Sequence, residues 1–196
     1  MQNMKDQYEV RTSKTNPNRL VGYLLAGVLF LLMQSQVFFP GVRLPVVGIV
    51  VSAMAMVDFV SHEMGHVVLS FFGEFITVLG GTLAQLFIPT VCLLLTIQRR
   101  QWFYISLFSF WIGQSLIQIS TYIRDAQTQQ LDLFSPGSVL GGAEPIHDWN
   151  FLLDSMGLLW ADQILGGMVF VLGLVLMAGA AFLMFYRAVV FFRGNS

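Results

Sequence analysis

His62-Glu63-Met64-Gly65-His66 is the stretch of this chain in which residue type and spacing together could do chemistry. On an α-helix, residues four apart lie on one face a turn apart, so both imidazoles can bind one metal ion. Glu63 lies beside them and can take a proton from a metal-bound water. Two of the chain's three histidines fall in this single turn. The run from Pro45 to Phe72 around them is apolar apart from Asp58 and the Ser61–His66 cluster. Ionisable groups are costly in such a helix and are retained mainly where they have a task. A polar contact between helices is the alternative reading, and that cost argues for the metal instead.

Catalytic zinc usually takes three protein ligands and keeps a fourth position for water, so a third ligand must come from elsewhere. The candidates lie in His147-Asp148-Trp149-Asn150-Phe151-Leu152-Leu153-Asp154. We take Asp148 as the third ligand, although its position before an apolar helix also suits an N-cap. His147 is an alternative ligand or a group that orients Asp148 or substrate, and Asp154 is the remaining alternative. Asp58, one turn before His62, is a candidate to accept the free ring N–H of a ligating histidine, or to meet another helix. Gln85 and Gln114 are candidates to hydrogen-bond a substrate backbone, or to bridge helices. The expected cofactor is Zn2+. With Cys92 the only cysteine, there is no intramolecular disulfide and no cysteine-based metal site.

The elements that must position these groups are membrane helices. Of 196 residues, 56% are hydrophobic and only 11% charged, far below the share that wets a soluble surface. The net charge of -1 argues against nucleic acid as a partner. After a polar tail, 1–19, five stretches are long and apolar enough to cross a bilayer: about 20–39, 45–72, 80–97, 102–123 and 164–186. We therefore expect an all-α polytopic protein of a cell or inner membrane, with residues 20–196 forming one transmembrane domain. Between the second and third spans, the β-branched Glu74–Leu79 segment suggests a strand or re-entrant turn. A polar loop, 124–148, and a short interfacial helix, 150–160, precede the last span.

Five alternating crossings put the N-terminal tail, the Gly73–Leu79 turn and the 124–148 loop on one side. The histidines lie near the Gly73 end of their helix, so the His147-Asp148 pair can reach them. Basic residues are balanced between the two sides, so the positive-inside rule does not choose an orientation.

These residues resemble the site-2 protease family of intramembrane zinc metallopeptidases. That family carries HExxH in a transmembrane helix, matched here by His62, Glu63 and His66. A Gly-Pro-x-x-Asn-like element opens its next span, and Gly80-Gly81-Thr82-Leu83-Ala84-Gln85 is similar to it, with Thr82 in place of Pro and Gln85 in place of Asn. The family's third ligand is an Asp in a later helix. Its usual Leu-Asp-Gly is absent, leaving His147-Asp148-Trp149 or Leu153-Asp154-Ser155 to serve. The resemblance implies that Glu63 activates a zinc-bound water against a peptide bond of a membrane-anchored protein, in or near the bilayer. Two other functions fit the same cluster: hydrolysis of a lipid amide or ester, and non-catalytic metal binding or transport.

Overall fold

Apolar runs of more than twenty residues bounded by proline and glycine dictate long helices, and long helices dominate the computed structural model of the chain. It describes residues 17–39, 41, 44–131 and 147–194. Most of the polar tail 1–19 and most of the 124–148 loop lie outside the described residues.

Among the described residues six α-helices follow in order: α1 (Pro17–Phe38), α2 (Pro45–Leu69), α3 (Glu74–Gln98), α4 (Trp102–Arg124), α5 (Asp148–Ser155) and α6 (Asp162–Arg193), with 3-10 turns at Ser70–Phe72 and Leu159–Ala161. Pro45 starts α2 where its missing N–H costs nothing. Gly73, at φ +92°, makes the sharp turn into α3.

The expected strand or re-entrant turn at Glu74–Leu79 is instead the first turn and a half of α3. Glu74 favours the positive end of the helix dipole, and the Thr77 hydroxyl donates to the Gly73 carbonyl (2.9 Å). Packing against α2 overrides the β preference of Ile76, Thr77 and Val78. The short helix also differs from expectation: it ends at Ser155, and Gly157 at φ +67° turns the chain towards α6. The final helix is longer than expected, beginning at Asp162 and reaching Arg193.

Among the described residues, four helical segments are long and apolar enough to cross a membrane: Asn18–Phe38, Pro45–Phe72, Glu74–Gln98 and Leu159–Arg193. Val46, Ile49, Phe87, Met168, Val175 and Phe182 are among the large apolar side chains left on their outer faces. In water such surface would be a liability; in a bilayer it meets its proper solvent. The chain is a multi-pass integral membrane protein. The fifth expected span, α4, is 23 residues long but less apolar. Several of its polar residues point inward: Ser106, Gln114, Ser115 and Ser120 are all buried.

Along α1, Tyr23, Gly27, Gln34 and Phe38 meet Arg187, Phe185, Met177 and Phe170 of α6 in falling order. The two helices are therefore antiparallel, whereas first and last of five alternating crossings would be parallel. The start of α1 lies at the opposite end of the bundle from the end of α4. Helix α2 crosses α4 at an incline. The Val51 carbonyl and the Asp58 carboxylate, two turns apart on α2, both reach the Trp111–Ser115 turn of α4.

The core holds Phe30, Met33, Phe110, Met177 and Met184 where α1, α4 and α6 meet. Helices α2 and α3 come closest at Gly65 and Gly80. A Cβ on Gly65 would collide with the Gly80 carbonyl, and one on Gly80 would lie 2.8 Å from the Gly65 carbonyl. Such small-residue contacts bring backbones together where lipid offers no hydrophobic drive. Gly65→Val should therefore part α2 from α3 and cost about 1–3 kcal/mol, the range for overpacking. Thermal unfolding in detergent checks this, and an unchanged midpoint would overturn the packing assignment.

Candidate metal centre

The second half of α2 presents His62 and His66 on one face, with ring centroids 4.7 Å apart and planes at 83°. The first residue of α5 closes on them. Asp148 Oδ2 lies 2.9 Å from His62 Nε2 and 3.2 Å from His66 Nε2. Donors around a tetrahedral zinc sit roughly 3.3 Å apart, given its bond lengths, so this spacing fits an ion after shifts of a few tenths of an ångström. The three residues form a cluster able to chelate a metal ion, within a bundle of membrane helices.

The hydrogen-bond pattern makes the same point. His66 Nδ1 lies 2.9 Å from the Thr77 carbonyl, which can only accept, so that nitrogen carries the proton. Its Nε2 lone pair then faces the Asp148 oxygen, another acceptor. Two facing lone pairs call for a cation between them, a proton or a metal. The Thr77 carbonyl thus orients His66 as a ligand through Nε2.

Gly81 of α3 lies directly over the pair. A Cβ there would stand 2.6 Å from His66 Nε2 and 2.7 Å from His62 Nε2, so only glycine leaves room for anything bound to those nitrogens. The side chains of His62, His66 and Asp148 remain 24%, 23% and 19% exposed, which leaves the cluster open on one side. Glu63, in the same turn, is half-buried. It acts electrostatically on His66 and on Tyr122 of α4, and its carboxylate hydrogen-bonds no described residue.

The other sequence candidates go elsewhere. His147 is buried and turned away from the histidine pair. Its Nδ1 accepts from the Asn150 N–H (3.2 Å), capping α5, and its Nε2 lies 3.3 Å from Asp125 Oδ2. Asp154 is exposed and outside the cluster. Asp58, only 1% exposed, accepts from Trp111 Nε1 (2.8 Å) and the Ser115 hydroxyl (2.7 Å), both on α4. It bonds neither histidine and serves as the contact to another helix. Gln114 donates to the Val51 carbonyl (3.2 Å), and Gln85 to Gln118 Oε1 (3.4 Å).

Sequence reasoning missed Asp125, Thr77 and Tyr122. Asp125, at the end of α4, accepts from the Thr128 hydroxyl (2.6 Å), the Gln130 and Leu131 N–H groups (2.8 and 3.0 Å) and His147. Burial opposes its charge, but these hydrogen bonds prevail and bring the carboxyl down to about 2. It thereby holds His147, and with it the residue that follows, Asp148. The Tyr122 ring lies 6.3 Å from that of His147, and Tyr122 feels the charges of Asp148, Asp125 and Glu63. An i, i+4 repeat of Gln114, Gln118 and Tyr122 on α4 was the available signal for Tyr122. No family model, curated protein or solved structure matches the chain.

Gly81→Ala, which removes no ligand, should cut zinc retention at least tenfold by metal analysis, approaching His66→Ala; full retention would refute the crowding argument. Asp125 lies below its ordinary 3.8 in the folded chain. Its stabilising contribution is therefore complete above about pH 4 and lost as pH falls through about 2. An NMR titration of this carboxyl should show that low midpoint, and a midpoint near 4 would remove the proposed pin.

Proposed function

We propose that this protein is a zinc-dependent intramembrane endopeptidase that cuts a membrane-anchored protein, akin in chemistry to the site-2 proteases it resembles in sequence. The observation that carries the reading is Asp148 Oδ2 lying against both histidine Nε2 atoms, with Glu63 in the same helical turn. In this reading α4 crosses the bilayer as well, with its polar residues shielded from lipid inside the bundle.

His62, His66 and Asp148 would hold the ion. Zinc bound there supplies a Lewis acid that polarises a carbonyl and makes water a nucleophile near neutral pH. Glu63 is the general base: its carboxylate has no hydrogen-bond partner among the described residues to satisfy it and is free to take the water's proton. It then returns that proton to the leaving amine. The Thr77 carbonyl keeps the His66 ring in place while the proton moves. His66 is one turn from the end of α2 and His62 about 10 Å from it, so water can enter from the membrane face while the scissile bond arrives from the bilayer.

Open exposure at the cluster, with the remaining carbonyl oxygen of Gln85 and the remaining NH2 group of Gln118, favours a peptide over a purely apolar substrate. Glu63→Gln should lower cleavage of a membrane-anchored reporter by about 100–10,000-fold while zinc content stays near that of the wild type. Cleavage that survives the substitution would remove Glu63 as the base. A reporter left intact beside turnover of a long-chain acyl amide would move the site to lipid hydrolysis.

A further inference from the structure

Beside the metal cluster, two carboxamides meet across α3 and α4. Gln85, 7% exposed, donates through Nε2 to Gln118 Oε1 at 3.4 Å. That bond uses one donor and one acceptor. It leaves a carbonyl oxygen on Gln85 and an NH2 group on Gln118 with no partner among the described residues. Exchanging O and N in both side chains leaves the same inventory, one free carbonyl and one free NH2, so the assignment of the amides does not matter. Neither free group belongs with the enclosed orphans of the bundle, which are Thr82 Oγ1, Ser106 Oγ, Gln114 Oε1 and Arg187 Nε. They remain reachable.

The position is specific. Gln85 follows Gly81 by one turn of α3, and Gly81 touches both histidines. Gln118 precedes Tyr122 by one turn of α4, and Tyr122 lies in the field of Glu63 and Asp148. Gln85 is therefore about 6 Å along α3 from Gly81, and Gln118 about 6 Å along α4 from Tyr122. In apolar surroundings a free amide donor and a free amide acceptor held side by side are costly until something satisfies both. The N–H and C=O of one residue in an extended chain point to the same side and offer one donor and one acceptor in that arrangement, and an ester oxygen in place of that N–H offers no donor.

We propose that Gln85 and Gln118 form a subsite for the backbone N–H and C=O of one extended substrate residue, one helical turn along α3 from the glycine that touches both histidines. This rests on the metal-site reading above and adds what the metal cannot provide: a preference for peptide over ester. Gln85 accepts from the peptide N–H, and Gln118 donates to the peptide carbonyl. Tyr122 and Gly81 mark the path between this subsite and the reacting bond.

The test uses zinc-loaded full-length protein in detergent and three probes. Acetohydroxamate binds the metal alone. An N-acetyl-dileucine hydroxamate adds the N–H and C=O of an extended first leucine, and its depsipeptide counterpart replaces that leucine's N–H with an ester oxygen. Binding is read by ligand-dependent thermal shift, so no turnover is needed. Wild type should prefer the amide probe over the ester by about tenfold, the effect expected when one hydrogen bond is lost and its acceptor is left unpaired. Gln85→Met should shrink that preference to less than about threefold, and Gln118→Met should weaken both larger probes by about tenfold, with acetohydroxamate affinity unchanged. Variants that only lower the melting midpoint and bind both larger probes as wild type does would make the pair an interhelical contact, overturning the subsite. Equal binding of the two larger probes by wild type would also overturn it, while leaving the metal site standing. Failure of acetohydroxamate itself would bring down the metal reading and this proposal with it.

Discussion

The carboxylate oxygen of Asp148, shared between His62 Nε2 and His66 Nε2 at 2.9 and 3.2 Å, constrains everything around it. With its Nδ1 proton given to the Thr77 carbonyl, His66 turns a lone pair towards the Asp148 carboxylate, and the two repel each other unless a cation lies between them. The fold must therefore hold them against that repulsion. It does so from three directions: α2 supplies the histidines, α3 presses Gly81 onto them, and α5 brings the carboxylate.

Each of these elements is itself fixed by polar contacts. Asp58 ties α2 to α4 through Trp111 and Ser115. Gly65 and Gly80 let α2 and α3 approach until the Thr77 carbonyl meets His66. Asp125 holds His147, whose other nitrogen caps α5, and so sets the register of Asp148. At the start of α6, Gln127 donates to the Asp162 carboxylate (3.0 Å), and Gln163 to the Arg124 carbonyl (2.7 Å). Lipid contributes little that is directional, so side-chain hydrogen bonds and close glycine contacts decide which helix faces which.

Much of the helical framework was legible because a bilayer imposes a simple rule: about twenty apolar residues, all backbone groups paired within the segment. That rule located α1, α2, α3 and α6 and the HExxH turn. It failed at Glu74–Leu79, where local β preference was outweighed by packing on α2. It also failed for the direction of α1, which tertiary contacts set antiparallel to α6. Asp58 was ambiguous for a similar reason: its spacing from His62 suggested the histidine, but its side chain leaves the helix towards Trp111.

The sequence by itself determined that this is a membrane-spanning helical protein with two histidines and a glutamate on one helical turn. Those properties follow from hydrophobic length and the 3.6-residue period, which are local. Tertiary structure alone decided that Asp148 rather than His147 or Asp154 meets the histidines, that Asp125 anchors the neighbouring residue, and that Gln85 pairs with Gln118. These contacts join residues 22 to 86 positions apart. Their partners depend on where whole helices pack, and no local spacing encodes that.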